Sequence, residues 1–488
     1  MGLDCFIRLS KQNLNYIFQP KSVAIAGIST KQRALPGMNQ EYLQAMLNFG
    51  FKGKVYPLSP RGGEIQGLKI YPNIKDIPEP VDYVISCVPA SAALQLIQDC
   101  AAKGVKAVQF FTSGFSEACT EEGNQLENEI CSLARQSGIR IIGPNCLGVY
   151  CPKAGISYAS DFSKESGSVA LICQSGGNTN YIVREGANRG VRFSKVISYG
   201  NAADIDESDL LEYLADDPDT EVIAAYIEGV RDGRRFRQVL EEASRVKPVI
   251  VFKAGISESG AGVAASHTGA LSGLDKVWDG LLRQVGAIRV YSLEELIDMA
   301  VAFSYLPLLS GRRVSIVGVG GGATVVATDD CINAGLIVPH LPNEIRRKLS
   351  RLLETEVGTI ISNPIDLAAE AFKFGFHNIL NVLANYEGID LNIVHFPSGI
   401  IGPFPPSFSI RITDFLLEDT IKAHKELAKP IIIVIHYPTS NSDYEWMLEA
   451  QRKCCEAGIP VYHSMSSAAK AIDRFLRYHE LRLTRAQD

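Results

Sequence analysis

Short apolar runs that stop at small, glycine-bearing turns recur through this chain, and a helical pattern follows each of them. That repetition constrains the fold more than any other feature. Val169–Cys173 runs into Gln174-Ser175-Gly176-Gly177 and a helix through Arg189; Arg313–Val317 runs into Gly318–Gly322 and a helix through Asn333. Strands buried on both faces read as continuous apolar runs, and strands alternating with helices imply parallel βαβ units that bind ligands at the strands' carboxyl ends. A strand, glycine turn and helix also aims backbone N–H groups and a helix dipole at whatever fills the turn, which suits a phosphate. Tight turns use glycine for steric reasons too, so the motif alone leaves both readings open.

The 488 residues admit roughly three domains at about 150 residues each. Three α/β units are expected, over 13–148, 149–307 and 311–482. In the first, Ser22–Ala26, Val55–Leu58, Tyr83–Val88, Val105–Phe111 and Arg140–Ile142 read as strands with helices between them. Their ends carry Gly27-Ile28-Ser29-Thr30, Ser59-Pro60-Arg61, Val88-Pro89-Ala90, Thr112-Ser113-Gly114-Phe115 and Gly143-Pro144-Asn145-Cys146. Small residues, hydroxyls and one arginine suit a nucleotide. The first turn is not GxGxxG, and Ser59 stands where an NAD site needs an acid, so a dinucleotide is disfavoured. Generic connectors of a doubly wound fold are the competing explanation for these turns.

In the second unit Val222–Ile227 ends in Glu228-Gly229, and Pro248–Lys253 leads into Gly260–Gly273. That segment holds four glycines and a single histidine, His267, with no bulky apolar residue at a regular period. It reads as a mobile or tightly fitted loop carrying one chemically capable side chain, against the alternative of a small-residue helix on a sheet. Glu228, on a neighbouring strand end, could accept a hydrogen bond from the imidazole and fix which nitrogen attacks; the alternative is a solvated carboxylate. In the third unit Asn363-Pro364-Ile365-Asp366 reads as a rigid turn supporting the glycine loop, and His395 and His436 read as structural residues at strand ends. The closing helix is expected from Ser467 to about Arg477.

Composition narrows the classes. Net charge is −6 without a basic block to track phosphates, so nucleic-acid binding is not expected. No uncharged apolar run approaches the roughly 18 residues of a membrane span, and no signal peptide is read at the amino terminus. Phe6 stands where a myristoylation signal needs Ser or Thr. Eleven cysteines without CxxC spacing fit reduced, buried thiols and a cytoplasmic location. No metal-ligand spacing appears, so no metal site is expected.

Five stretches then converge in order: Gly143-Pro144-Asn145-Cys146-Leu147-Gly148, Gln174-Ser175-Gly176-Gly177, Tyr226-Ile227-Glu228-Gly229, Ala265-Ser266-His267-Thr268-Gly269 and Asn363-Pro364-Ile365-Asp366. With them the chain strongly resembles the α subunit of NDP-forming acyl-CoA synthetases, the ADP-forming acetyl-CoA synthetase group related to succinyl-CoA synthetase. The resemblance covers about Asn13 to His479. It implies a Rossmann-like CoA-binding domain followed by two flavodoxin-like, succinyl-CoA synthetase-like parallel α/β domains.

The resemblance also implies roles. Gly27, Ser29, Thr30, Arg61, Val88, Pro89, Thr112, Ser113 and Glu117 would line the CoA site, with Asn145 and Cys146 near its thiol end. Ser175, Gly176 and Gly177, with Gly321 and Gly322, would hold phosphate. His267 would take the phosphoryl group and Glu228 would stabilise the phosphohistidine. No region resembles an ATP-grasp domain, so a separate β subunit carrying ADP or ATP and Mg²⁺ is implied, in a heterotetramer or similar assembly. Two departures stand out: Ser59 replaces a usual Asn, and the glycine turn continues Asn178-Thr179-Asn180. The latter suggests an acid with a polar or anionic tail. A CoA-binding regulatory or scaffold protein is the alternative, weakened by the presence of both His267 and Glu228.

Overall fold

The computed structural model describes residues 14–29, 37–257, 259–260, 275–396, 406–438 and 440–485. Thr30 and His267, with nearly all of Gly260–Gly273, lie outside the described residues. Contacts divide the chain into two units, Met1–Arg184 with Arg192–Leu296, and Glu185–Val191 with Ile297–Asp488.

The first unit holds two sheets. In one, the strands lie in the order Lys54–Leu58, Ser22–Ala26, Tyr83–Ser86, Ala107–Phe110, Arg140–Ile142, all parallel. Ser22–Ala26 and Tyr83–Ser86 are buried at every position, as strands covered by helices on both faces must be. Two strands are shorter than their apolar runs suggest: Cys87, Val88 and Phe111 belong to the turns that follow.

The other sheet runs Ile288–Val290, Val249–Lys253, Val222–Ile227, Val169–Cys173, Phe193–Ser198, Gly148–Tyr150. Its strands are parallel except the last, which pairs antiparallel with Tyr150 opposite Val196 and Gly148 opposite Ser198. The chain thus leaves the first sheet at Ile142 and within six residues is part of the second. Helices follow the expected logic. In Gly233–Val246 the Asp232 carboxylate accepts from the N–H groups of Arg234 and Arg235 at 3.1 and 3.0 Å, capping the helix start. Phe236, Val239, Leu240 and Ala243 make its buried stripe.

The second unit is built on a third sheet, Ile360–Ile361, Ile365–Asp366, Val314–Gly318, Leu391–Phe396, Ile431–Ile435, Val461–Tyr462. The short outer strand is antiparallel and the rest parallel. The closing helix is longer than its sequence pattern suggests, Met465–Arg485. In each sheet the first parallel strand lies between the second and the third, and ligands of open α/β sheets bind where the connections diverge from such a strand. Those three places carry Gly27 and Val88, Ser175 and Glu228, and Gly318 and His395. No described helix is long and apolar enough to cross a membrane.

Candidate active site

At the carboxyl edge of the first sheet the turns after its strands press together. Gly27 has φ +92°, and a Cβ there would meet the Cys87 carbonyl oxygen at 2.8 Å, so only glycine fits. The Thr112 hydroxyl donates to the Val88 carbonyl at 2.5 Å, tying a third turn to this pair. Gln40 Nε2 donates to the Ser29 carbonyl at 2.8 Å. Gly27, Ser29, Val88 and Thr112 therefore share one edge. Arg61, Pro89 and Ser113 are exposed on the turns of that sheet. Glu117 is used internally: Oε1 accepts from the N–H groups of Gly114 (2.5 Å) and Phe115 (3.2 Å), and Oε2 accepts from Asn201 Nδ2.

The turn after the last strand of this sheet bends through a cis Gly143–Pro144 bond and Asn145 at φ +56°. The Asn145 N–H donates to the Thr112 carbonyl at 3.1 Å. The Cys146 thiol donates inward to the carbonyls of Phe110 (3.5 Å) and Ile142 (3.6 Å), and burial raises its pKa well above that of a free thiol. It is a structural donor, protonated at neutral pH, rather than a nucleophile. The Leu147 carbonyl receives Tyr42 Oη–H at 2.8 Å and Gln109 Nε2–H at 2.9 Å. Gly148 (φ +78°) lets the chain pass Gln109, where an added Cβ would lie 1.9 Å from Gln109 Oε1.

Facing this turn is the start of the helix Gly176–Asn188. Ser175 caps it: its Oγ accepts from the Asn178 N–H at 3.3 Å, and its carbonyl accepts from the Thr179 N–H (2.9 Å) and hydroxyl (2.6 Å). Among the described residues the N–H groups of Gly176 and Gly177 have no acceptor, as expected at the open end of a helix. A Cβ on Gly176 would meet the Leu147 side chain at 3.1 Å, whereas one on Gly177 would meet nothing within 4 Å. The turn and the helix start enclose a cavity of about 330 Å³, with Asn145–Leu147 on one side, Gln174–Gly177 on the other, and Phe111 and Asn180 completing it. Among the described residues no charged side chain lines it. The structure thus brings together Asn145, Cys146, Ser175, Gly176 and Gly177.

Glu228 is not a solvated carboxylate. It is 7 % exposed, and Tyr226 Oη–H donates to its Oε1 at 3.1 Å. Gln174 Oε1 accepts from the N–H groups of Glu228 and, at 3.0 Å, Gly229. Buried Lys253 donates from Nζ to the Glu228 carbonyl at 2.7 Å and to the Ala254 carbonyl. Burial lowers the Lys253 pKa to about 8, with Glu228 acting in the opposite direction. Gln174, Tyr226 and Lys253 were not picked out from sequence as residues that position Glu228. Their signal was only that they sit within one residue of a strand end.

Gly321 and Gly322 begin the helix Gly321–Ala334 in the other unit. The N–H groups of Gly320 (3.0 Å) and Ala368 (2.9 Å) donate to Asp366 Oδ1, and Asn363 bridges the Ile316 N–H (3.0 Å) and the Val314 carbonyl (2.9 Å). The Asn363–Asp366 turn therefore braces the glycine loop. Behind it His395 is 1 % exposed and packs against Gly318. Among the described residues no group of His, Cys, Asp or Glu is arranged to hold a metal ion.

Comparison with known proteins matches residues 21–152 to a CoA binding domain and residues 166–303 to a succinyl-CoA ligase like flavodoxin domain. The class defined by fold and site is therefore a CoA-binding protein of the succinyl-CoA ligase type. The acetate–CoA ligase [ADP-forming] I subunit alpha of Pyrococcus furiosus is 36 % identical over 96 % of this chain and 98 % of its own length. The 4-hydroxybutyrate–CoA ligase [ADP-forming] of Nitrosopumilus maritimus is 36 % identical over 85 % of this chain and 58 % of its own. An acetyl-coenzyme A synthetase structure from Korarchaeum cryptofilum, solved with phosphate and ADP, superimposes with a TM-score of 0.81 at 29 % identity, covering 96 % of this chain and 98 % of that one. The chain belongs to the family of ADP-forming acetate–CoA ligase α subunits.

Proposed function

We propose that this chain is the CoA-binding, phosphoryl-accepting subunit of an ADP-forming acyl-CoA synthetase, interconverting acyl-CoA, ADP and phosphate with carboxylic acid, CoA and ATP. The observation that carries the reading is the cavity in which the Asn145–Leu147 turn faces the N–H groups of Gly176 and Gly177. CoA would lie along the edge formed by Gly27, Ser29, Val88 and Thr112, with Thr30, Arg61, Pro89 and Ser113 on the same turns and its thiol end toward Asn145. Phosphate would sit at the helix start, where unpaired N–H groups and the dipole favour an anion; Gly321 and Gly322 would offer a second such start.

The reaction proceeds in three displacements. A phosphate oxygen attacks the thioester carbonyl, the C–S bond breaks, and CoA leaves as the thiol after taking a proton. A ring nitrogen of His267 then attacks phosphorus, the bond to the acyl oxygen breaks, and the carboxylate departs. ADP finally takes the phosphoryl group from the histidine. A neutral imidazole is nucleophilic at pH 7 without special activation, and Glu228, held by Tyr226 and Gln174, would balance the charge of the phosphohistidine. Phosphoryl transfer needs mainly positioning and charge stabilisation.

The nucleotide step is assigned to a partner. The similarity to a Pyrococcus protein named as an α subunit, matched over 98 % of its length, supports a partner subunit, and the partner proposed is an ATP-grasp β subunit that binds ADP and Mg²⁺. The location proposed is the cytoplasm. Incubating the chain with acyl-CoA and radiolabelled phosphate tests the reading. Acid-labile, base-stable label on the wild type and none on His267→Ala is expected; equal labelling of both would remove His267 from the mechanism.

A further inference from the structure

Asn201 stands where three loops meet, and it is 2 % exposed. Its N–H donates at 3.0 Å to the Pro144 carbonyl, on the turn that carries Asn145. Its carbonyl accepts at 3.0 Å from Nη2 of Arg231, three residues beyond Glu228. Its side-chain Nδ2 donates to Glu117 Oε2 and, at 3.0 Å, to Glu127 Oε2. Glu117 in turn holds the Gly114 and Phe115 N–H groups on a turn of the edge assigned to CoA. Arg231 closes the ring by donating to Glu127 Oε1 at 3.4 Å.

The neighbouring residues leave this junction little freedom. A Cβ on Gly200 would lie 2.3 Å from the Pro144 carbonyl oxygen and 2.5 Å from that of Asn145, so the chain passes directly against the cavity wall. Two residues before Gly200, Ser198 Oγ accepts from the Leu147 N–H at 3.3 Å. Residues 198–201 therefore back the turn from Pro144 to Leu147. The amide at position 201 is also chemically required. Ionised carboxylates only accept, so the group set between Glu117 and Glu127 must donate; an aspartate there would bring three carboxylates together.

In the proposed reaction the acyl phosphate made at the thiol end of CoA is consumed next by the histidine that Glu228 serves. The CoA turns and the Glu228 loop must therefore keep a fixed separation, and a misplacement of about 1 Å can cost about 100-fold in rate. Resting on the synthetase reading above, we infer that Asn201 is a positioning residue for this sequence of transfers. It registers the turns that would hold CoA against the loop that begins at Glu228.

The test incubates the full chain with acetyl-CoA and radiolabelled phosphate. It reads the saturating initial rate of labelling per folded molecule, well below the melting temperature of each variant, and the acetyl-CoA concentration that gives half that rate. Asn201→Ala should lower the saturating rate about tenfold and leave the half-saturating concentration in place. Asn201→Asp should lower the rate at least as far. Adding Glu117→Gln to Asn201→Asp should recover it severalfold, because the new amide can donate to position 201 while its oxygen keeps the Gly114 and Phe115 N–H groups. Labelling of Asn201→Ala at the wild-type rate overturns the inference. So does a raised half-saturating concentration at an unchanged saturating rate, because Asn201 then only shapes the CoA edge. If Asn201→Asp does not fold, Asn201→Ala and the paired variant carry the test, and a pair that recovers nothing overturns the inference as well. Absence of label on the wild type overturns the synthetase reading, and the inference with it.

Discussion

His395 places two ring nitrogens in the core of the third sheet, and neither meets a partner among the described residues. Burial, with His436 nearby, lowers its pKa to about 4, against roughly 6.5 for a free imidazole. Between those values the unfolded chain binds a proton that the folded chain does not. Stability is therefore intact above about pH 6.5 and declines as pH falls toward 4. His463 is lowered to about 4 as well, by burial first and Arg189 second, and adds to the same decline. Each can contribute up to about 3 kcal/mol at the acid end. Replacing His395 by Met should flatten this acid limb while holding or raising stability at pH 7, because two unpaired nitrogens leave the core. Urea unfolding at pH 7 and pH 5 measures it; an unchanged difference between the two pH values would exclude His395 as the source.

At the scale of elements, the helix Gly176–Asn188 separates stability from function. Gly177 has open space around its α-carbon, and alanine is the better helix former, so Gly177→Ala should gain up to about 0.5 kcal/mol. The same methyl group would stand where the proposed phosphate approaches, so labelling of the chain should fall at least severalfold. A calorimetric melt beside the labelling assay checks both; a variant that melts higher and labels normally would place the phosphate elsewhere. The start of this helix was legible in sequence because a buried strand must be apolar throughout and must then turn on small residues. The setting of Glu228 was not legible, since Gln174, which holds its backbone, is 54 residues away. Nor was the strand Gly148–Tyr150, three residues with no room for a pattern. The polarity of Asn178–Asn180 was plain in sequence, but the direction of each side chain depends on helix phase and on neighbours that only the packed structure supplies.

Across the whole molecule, the two sheets of the first unit are joined by charge as well as by chain. Arg140 donates to Asp204 (2.8 Å) and Asp209 (2.6 Å), and Arg231 donates to Glu127 (3.4 Å) and the Asn201 carbonyl (3.0 Å). Of these, Asp209 and Glu127 are buried, so removing a cation would leave a carboxylate short of a partner in low dielectric. The chain alone is expected to take up at most one phosphoryl group per molecule from acyl-CoA and phosphate, and to release ATP from ADP and Mg²⁺ only after an ATP-grasp partner is added. Luciferase detection of ATP with and without that partner decides it; sustained ATP formation by the chain alone would refute the division of labour.

The antiparallel pairing of Gly148–Tyr150 with Phe193–Ser198 also bears on how the gene could be cut or recombined. A boundary placed at residue 148 divides that strand between two fragments. The downstream fragment would keep only Val149 and Tyr150 of that strand, a two-residue remnant that guards the edge of Phe193–Ser198 poorly against docking by another chain. The upstream fragment would lose the anchor of the turn that carries Asn145. These two blocks are therefore expressed and engineered most safely as one piece.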